Sequence, residues 1–389
     1  LQVASVIGKE FAYGILTTIT GMSEELKACL LRLQGLGFVF EKRLFPDLEY
    51  VFKHALTQEA AYHSLLGEGR KNIHAEVARA IEKTHAQNLE EYYDLLAYHY
   101  TSGDNPEKAL KYLDLANRKA LRTNAVEEAK AYFDRAMEVL DRLPDTRENR
   151  VQRITLLARQ EQAFYLLLRL PEYYELLSRF EPMAAAIDVV GVRGAFYSRM
   201  AFCEFSFGRF DRALGHALEA AALCDESGDQ AQAAFALYVA ECSLLYKGDL
   251  AEAVALGEKA LNKLSESFDL VVYVRVRVLT SWAFCLMGRW DEALEQGSAG
   301  LAKAKEFSDE SLGSFASLAL TLAYGMKGDT ERALEFGEQG IRMTPTPADE
   351  MLARSYYGWA LSRSGKGGRD TEYMGSLFRA LQAAGLMIV

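Results

Sequence analysis

Gly288-Arg-Trp-Asp-Glu-Ala293 is one of four near-copies of a hexapeptide that lie 40 residues apart along the chain. The other copies are Gly208-Arg-Phe-Asp-Arg-Ala213, Gly248-Asp-Leu-Ala-Glu-Ala253 and Gly328-Asp-Thr-Glu-Arg-Ala333. A series of aspartates keeps the same period: Asp229, Asp269, Asp309 and Asp349. A fixed period of ~20–50 residues is typical of a solenoid. Solenoids present extended surfaces, so the pattern favours binding over catalysis.

The two series predict where the helices of each repeat begin and end. Glycine tolerates the left-handed conformation that ends a helix, so each glycine of the series is expected to close one helix. An aspartate at a helix start accepts hydrogen bonds from free amides, as we expect for Asp249, Asp329 and the Asp229 series. Each repeat then contains two helices of roughly 16 residues.

The second helix of each repeat carries a stripe of small residues at helical spacing. A mid-helix glycine costs ~1 kcal/mol relative to alanine, so its recurrence predicts a close approach between neighbouring helices. The stripe comprises Ala213, Leu214, Ala217, Ala220 and Ala221, then Ala253, Val254, Gly257, Ala260 and Leu261, then Ala293, Leu294, Gly297, Gly300 and Leu301, and finally Ala333, Leu334, Gly337, Gly340 and Ile341.

The sequence Gly288-Arg-Trp-Asp-Glu-Ala293-Leu294 resembles the central turn of the tetratricopeptide repeat. The period of 40 and the small residue four after the alanine are similar to the longer repeats at the C-terminal end of signalling ATPases. The predicted fold is all-α, a right-handed tetratricopeptide-like superhelical solenoid of about six repeats over residues 151–389. The outermost copies, at Leu168–Tyr173 and Gly365–Leu381, are atypical, as terminal repeats often are.

The chain before the array has a different pattern. Ser23 is a candidate cap for a helix from Glu24 to Leu36, and apolar runs at 38–43 and 48–52 flank a Pro-Asp turn. This order predicts a small winged-helix domain with one β-hairpin over residues 1–66. Residues 67–150 are predicted to be a helical connector, with three helices between 88 and 150.

Leu1-Gln-Val-Ala-Ser-Val-Ile-Gly-Lys-Glu-Phe11 and Val51-Phe-Lys-His-Ala-Leu-Thr-Gln-Glu-Ala-Ala-Tyr62 resemble the winged-helix region of signal-transduction ATPases with numerous domains. The resemblance covers residues 1–145 and is strongest to the ATPase arm attached to class III adenylate or guanylate cyclases and to related bacterial regulators. It implies an upstream domain that binds ATP or ADP with Mg²⁺. No cofactor is expected in the chain itself, which we interpret as part of a larger protein because it begins at Leu1 without Met.

The same resemblance implies a role for His54, which follows a strand and opens a helix. In that family a histidine at this junction senses the nucleotide phosphates, and imidazole suits the task because its charge changes near neutral pH. Ala55 departs from the aspartate of several family branches. The alternative is that His54 only caps the helix or packs on the hairpin.

Composition argues against several other functions. The net charge is −10, and residues 1–86 carry ten Lys and Arg against ten Asp and Glu, so the basic footprint of a DNA-binding domain is missing. No apolar run spans a bilayer, and five scattered cysteines indicate a reduced, cytoplasmic protein. We find no catalytic or metal-binding motif, and Gly365-Lys-Gly-Gly-Arg does not fit a phosphate loop. Trp282, Trp290 and Trp359 follow the repeat pattern and are predicted to be core residues.

The sequence therefore predicts a non-catalytic sensor and regulatory region of a signalling ATPase that is linked to a cyclase. Its array would bind a protein or peptide and transmit the binding to the ATPase domain of the same polypeptide. Two alternatives stay open: a stand-alone peptide-binding scaffold, and an array whose concave face binds a small effector molecule. The predicted structural positions of the repeat are Gly208, Ala213, Gly248, Ala253, Gly288, Ala293, Gly328 and Ala333.

Overall fold

The computed structural model describes residues 1–22, 24–43 and 48–365, which form two compact units. The first unit comprises Leu1–Thr123 with Glu128–Leu143, and the second comprises Asn124–Glu127 with the chain from Pro144 onward. The predicted boundaries at residues 66 and 150 stay a prediction.

A three-stranded antiparallel sheet and three short helices open the first unit. The sheet has the strand order β1-β3-β2, and Phe11 lies opposite Tyr50 while Val39 lies opposite Phe52. These side chains are buried together with Leu30 in one apolar core. The elements are α1 (Gln2–Ile7), β1 (Glu10–Ala12), α2 (Tyr13–Thr20), α3 (Glu24–Gly35), β2 (Val39–Arg43) and β3 (Glu49–Phe52).

The two strands of the predicted hairpin are present, but the sequence analysis missed the third. Strand β1 has three residues, too few for an alternating pattern to be recognised. The predicted cap Ser23 and the Leu44–Asp47 turn lie outside the described residues.

Helices make up the rest of the first unit. Asn105 accepts a hydrogen bond from the Lys108 amide, and Pro106 occupies the first turn of its helix, as a helix start requires. The helices are α4 (Ala55–His63), α5 (Gly67–Thr84), a 3₁₀ turn (Leu89–Tyr92), α6 (Tyr93–Ser102), α7 (Pro106–Arg122) and α8 (Val126–Asp141).

The second unit is an array of helix pairs that ends, within the described residues, at the first helix of a further pair. Each first helix packs against its own second helix and against the first helix of the next repeat. The helices are α9 (Arg147–Ala158), α10 (Glu161–Leu166), α11 (Leu170–Ala185), α12 (Val190–Ser206), α13 (Phe210–Glu226), α14 (Gln230–Lys247), α15 (Leu250–Leu264), α16 (Leu270–Leu286), α17 (Trp290–Glu306), α18 (Glu310–Lys327), α19 (Thr330–Arg342) and α20 (Pro347–Arg363). First helices are α12, α14, α16, α18 and α20, and second helices are α13, α15, α17 and α19.

The glycine turns have the predicted geometry. Gly208, Gly248, Gly288 and Gly328 have φ angles of 74°, 89°, 75° and 95°. Leu168, which lies 40 residues before Gly208, adopts φ 57° without being glycine. The turn of the first repeat is therefore kept although its glycine is lost, at a cost of roughly 1–2 kcal/mol of backbone strain.

The aspartate caps agree with the prediction at most positions. The side chains of Asp229, Asp269 and Asp309 each accept a hydrogen bond from the amide three residues on, at 3.1, 3.0 and 2.9 Å. Asp329 makes the same bond to Arg332, at 3.2 Å. The prediction that the side chains of Asp249 and Asp349 act as the N-caps of their helices was wrong.

Asp249 makes no side-chain capping hydrogen bond, although it stands directly before α15. Asp349 lies within the first turn of α20, because Pro347 begins that helix two residues earlier and Thr346 becomes its cap. The Asp349 carboxylate instead accepts the Thr346 amide hydrogen bond at 3.1 Å, which completes a reciprocal capping box.

The stripe of small residues lies where helices come closest. A Cβ atom added to Gly297 would lie 2.9 Å from Leu320 Cδ2, and one added to Gly337 would lie 2.8 Å from Tyr357 Cδ2. At Gly257 the nearest atom is Thr280 Oγ1, at 2.5 Å. The alanines that follow the glycine turns, from Ala213 to Ala333, are fully buried. Close helix approach therefore explains the recurring mid-helix glycines.

Within the described residues no helix is long and apolar enough to cross a membrane. The predicted second helix of the last repeat lies beyond residue 365, outside the described residues, as does most of the Gly365 loop.

We expect Gly297→Leu to lower the free energy of unfolding by ~1–3 kcal/mol, because the new side chain must displace Leu320. The matched control is Gly215→Leu, also in a second helix, where an added Cβ meets nothing within 4 Å. There the substitution should stabilise by about 0.5–1 kcal/mol through helix propensity. Urea denaturation measures both, and equal effects at the two sites would contradict the assigned packing stripe.

Candidate functional site

His54 lies where the sequence placed it, between β3 and α4. It is the N-cap residue of α4, with φ −129° and ψ 133°, and its side chain makes no capping hydrogen bond. The residue is exposed. The capping alternative for the imidazole therefore has no hydrogen bond to support it, and the ring is accessible.

Two other histidines form a buried pair that the sequence analysis did not recognise. His74 Nδ1 and His99 Nδ1 are 2.9 Å apart, and each residue is 1% exposed. The Tyr62 hydroxyl lies 3.0 Å from His74 Nε2. Tyr62 is half-buried and serves as a hydrogen-bond partner of His74. No local sequence motif shows that the two histidines meet, because they are 25 residues apart and come together only through the packing of α5 and α6.

The pair is held in its neutral form. Burial, with the charge of Arg70, lowers the pKa of His74 to about 4. Burial, with the neighbouring His74, lowers the pKa of His99 to about 3. Among the described residues, no group of three or more His, Cys, Asp or Glu side chains is placed to hold a metal ion.

This pair predicts a loss of stability in acid. An unfolded histidine titrates near pH 6.5, so between that pH and about 4 the unfolded chain binds more protons than the folded chain. The contribution of the neutral histidine pair to the free energy of unfolding is therefore complete above about pH 6.5 and is lost as the pH falls toward 4. One pKa unit corresponds to about 1.4 kcal/mol, so the effect is on the order of a few kcal/mol.

Urea unfolding at pH 7 and pH 5 measures this effect. A double variant with His74→Gln and His99→Gln should lose less stability between the two pH values than the wild type, because it lacks the two titrating rings. His63→Ala, which removes an exposed histidine, should keep the wild-type pH dependence. An identical pH dependence in the wild type and the double variant would contradict the buried neutral pair.

The first helices of the second unit converge on a shared interior, whose lining we call the inner face. Two adjoining cavities of about 60 and 50 Å³ lie there, with room for only a few water molecules. The lining side chains recur at helical spacing, as Tyr238, Cys242 and Tyr246 do on α14. The inner face comprises Phe202, Phe205, Tyr238, Cys242, Tyr246, Val271, Arg275, Leu279, Trp282, Ser311, Leu312, Phe315, Asp349, Leu352 and Tyr356, with Gln162, Tyr165 and Leu166 contributed by α10.

Aromatic rings dominate the inner face. Trp282 stacks on Tyr356 with ring centroids 5.6 Å apart and meets Phe315 edge-on at 6.0 Å. Tyr165 meets Phe202 in the same way at 5.9 Å. Trp282, which was predicted to be a core residue, is half-buried. It packs against other rings and also lines one of the two cavities. Aromatic rings arranged in this way suit apolar side chains and cations.

One ion pair is buried within this aromatic surface. Arg275 Nη1 on α16 donates to both carboxylate oxygens of Glu161 on α10, at 3.0 and 3.2 Å. Both residues are less than 9% exposed. The guanidinium also lies 5.5 Å from the Tyr165 ring centroid and 5.8 Å from that of Phe202. Burial alone would lower the pKa of Arg275, but the Glu161 carboxylate raises it above its ordinary value.

A second arginine, Arg199 on α12, is 8% exposed and lies 3.6 Å from the Phe235 ring centroid. Its Nη1 donates to Ser198 Oγ at 2.9 Å, and its Nε has no hydrogen-bond partner. Burial lowers its pKa, while the charge of Glu161 opposes that effect. In the described part of the chain, no carboxylate forms an ion pair with Arg199. Two buried cations therefore lie near one carboxylate.

The sequence contained a signal for these arginines. Forty residues before and after Arg275 stand Phe235 and Phe315, and one and two repeats after Arg199 stand Val239 and Leu279. A charge at a repeat position that is otherwise apolar marks a buried charge. The sequence analysis aligned only the turns and second helices and so did not detect it.

Glu204 breaks the repeat in the same way, since Leu244, Phe284 and Tyr324 stand at the equivalent positions, whereas the equivalents of Glu241 include Ser281 and Thr321. Glu204 is fully buried and pairs with Arg212 and His216, and its hydrogen bond raises the pKa of His216. Burial raises the pKa of Glu241 well above its usual range, and Glu241 Oε1 accepts a hydrogen bond from Thr280 at 2.7 Å. These acids join neighbouring helices and do not line the two cavities.

The buried thiols do not favour nucleophilic chemistry. Burial raises the pKa of Cys224 and Cys285 to about 12, and it raises the pKa of Cys203 and Cys242 well above the usual range of a thiol. A thiol is reactive as its thiolate, so these four groups are inert near neutral pH.

A more open cleft of about 570 Å³ lies between α9 and α11. Its charged side chains form two exposed ion pairs, Arg147 with Asp188 and Arg150 with Asp145. Surface pairs of this kind contribute about 0–1 kcal/mol and do not define a selective site.

Comparison with solved structures shows the class of fold. A Rap protein complexed with competence and sporulation factor aligns with 93% of this chain and 98% of its own, at 15% identity and a TM-score of 0.57. The Rap conjugation gene regulator of plasmid pLS20, in complex with the Phr* peptide, aligns with 82% of this chain and 91% of its own, at 12% identity and a TM-score of 0.57. The chain therefore has an all-α, tetratricopeptide-like repeat fold.

A third structure is similar at a lower score. It is a signal transduction ATPase with numerous domains and a tetratricopeptide repeat sensor, from Pyrococcus horikoshii, with 12% identity and a TM-score of 0.47. The alignment covers 98% of this chain but 62% of that protein, so the chain spans less than two thirds of its length. No protein-family model and no curated protein matches the sequence.

Proposed function

We propose that the chain is a non-catalytic regulatory region that binds a peptide on the inner face of its repeat array. The observation that carries the proposal is the lining of that face, where aromatic rings surround Arg275. A peptide offers the apolar side chains and the hydrogen-bonding groups that such a surface recognises. Two proteins of similar fold were solved with a bound peptide or signalling factor, which supports the proposal by analogy of fold alone.

In its finer form, the proposal places this region in a signalling ATPase linked to a cyclase. Binding on the array would then bias a nucleotide-binding domain through residues 1–66, interpreted as a winged helix. The resemblance of residues 1–145 to such ATPases supports this form, as does the exposed position of His54 at the start of α4. ATP or ADP with Mg²⁺ would belong to the ATPase domain, and we propose a cytoplasmic location.

The proposed site is tested with a random peptide display library selected on the full chain. Peptides that bind the wild type should lose at least tenfold in affinity to Phe315→Ala, because the substitution removes an inner-face ring. Leu218→Ala should change little, because this control removes an apolar side chain that is 44% exposed on α13, a second helix. Selected peptides that bind both variants equally would place the site elsewhere.

The role of His54 is tested in the polypeptide that includes the ATPase domain. If the imidazole contacts the nucleotide phosphates and holds the resting state, removing it loses a charge-assisted hydrogen bond of ~1.5–3 kcal/mol. His54→Ala should then raise basal ATPase or cyclase output about ten- to a hundredfold without an effector. His63→Ala, an exposed histidine at the other end of α4, should leave that output unchanged.

Unchanged basal output and unchanged ADP affinity in folded His54→Ala protein would contradict the sensor role. Tyr62→Ala is unsuitable as the control, because it removes the hydroxyl partner of His74.

A further inference from the structure

Helix α10 is placed unusually for a member of the array. The first repeat of the array begins with α9, which ends at Ala158. After an interruption at Arg159 and Gln160 the helix continues as α10, which has only six residues. Those residues reach across the interior to later repeats. Glu161 pairs with Arg275 of α16, and Leu166 lies in one apolar cluster with Ala348 of α20.

Burying Arg275 is costly unless its charge is matched. Moving a guanidinium out of water carries a penalty of several kcal/mol, which only a well-aligned partner offsets. Phenylalanine occupies the equivalent position in the preceding and following repeats, so the fold does not require a cation there. Both oxygens of the Glu161 carboxylate accept hydrogen bonds from Arg275 Nη1, so this position already holds a carboxylate. The surroundings of Arg275 therefore favour a carboxylate as its binding partner.

We propose that the inner face binds a peptide through a carboxylate that replaces Glu161 on Arg275, and that α10 is the internal occupant displaced by the peptide. This inference rests on the proposed function, because it names the chemistry of the peptide at the same site. An acidic side chain and a free C-terminus both supply the required carboxylate.

The available space and the local charges support the replacement of Glu161 by a peptide carboxylate. The cavities of about 60 and 50 Å³ are too small for a peptide while α10 is in place. An incoming carboxylate keeps Arg275 paired throughout, which avoids the penalty of an orphaned buried charge. Arg199, for which the described part of the chain offers no carboxylate ion pair, adds positive charge near Glu161.

The other acid on the inner face does not compete for Arg275. Asp349 is held by hydrogen bonds from Ser311 Oγ at 2.8 Å and from the Thr346 amide and hydroxyl at 3.1 and 2.5 Å. Burial raises its pKa, although these hydrogen bonds oppose that effect.

Helix α10 is also bounded by features that favour its release. The interruption at Arg159 and Gln160 precedes it, and the strained Leu168 with φ 57° follows it. A six-residue helix is too short to be stable without its tertiary contacts. Its attachment therefore depends on the Glu161 ion pair and on the packing of Phe164, Tyr165 and Leu166, with Phe164 stacked on Tyr173 of α11 at 4.9 Å between ring centroids.

Four synthetic peptide pools test the proposal by fluorescence anisotropy on the full chain. All are nonamers whose other eight positions are random but exclude Asp and Glu; the central residue is Glu or Gln, and the C-terminus is free or amidated. Pools with a carboxylate should bind at least tenfold more tightly than the amidated Gln pool. The two single-carboxylate pools identify whether a side chain or a C-terminus supplies the group.

Three variants accompany the pools. Glu161→Gln should strengthen binding of the preferred acidic pool at least tenfold, because it removes the internal competitor. Arg275→Gln should abolish the preference for a carboxylate. Glu219→Gln, an exposed site on α13 with the same change in charge, should leave the affinity unchanged.

Hydrogen exchange of residues 161–166 in the wild type gives a second measurement that does not depend on a variant folding. The preferred acidic pool should increase exchange in α10, and the amidated Gln pool should not. Peptide binding without a carboxylate preference, or with α10 still protected, would overturn the inference and leave the proposed function standing. If no pool binds the wild type or folded Glu161→Gln, the proposed function itself fails.

Discussion

The close approach of neighbouring helices at the stripe of small residues is the constraint on which the array depends. At Gly257, Gly297 and Gly337 an added methyl group would lie within 3 Å of a neighbouring side chain, so each pair packs against the next at a fixed short distance. The repeated cost of a mid-helix glycine, about 1 kcal/mol each, is offset by that contact. This contact recurs in three successive repeats, each time between a second helix and the first helix of the next repeat.

That interior combines opposing physical demands. Aromatic rings exclude water and stabilise the array by burial, yet the same dry environment makes every charge expensive. Arg275 is tolerated because Glu161 satisfies it, and Glu204 because Arg212 and His216 do. Glu241 instead has a pKa well above its usual range, which favours its neutral form. Among the described residues, Arg199 forms no ion pair with a carboxylate and contacts the Ser198 hydroxyl and the Phe235 ring.

The sequence predicted the features that recur and missed those that occur once. Turn glycines, most aspartate caps and the small stripe were readable because four copies repeat the same local chemistry. Strand β1 was too short to show a pattern, and the His74–His99 pair depends on how α5 and α6 pack. The buried charges needed a different comparison, between first helices, where a charge replaces an apolar residue.

A binding array must distinguish its free state from its bound state, and here the free interior is already full. A peptide on the inner face therefore has to compete with existing contacts, and its affinity is reduced by the cost of releasing them. That cost is smallest where the displaced element is short and strained. Helix α10 meets both conditions, since it has six residues and ends beside Leu168, which has a positive φ of 57°. The repeat that has lost its turn glycine is thus the one that contains α10, the helix that we propose is displaced when a peptide binds.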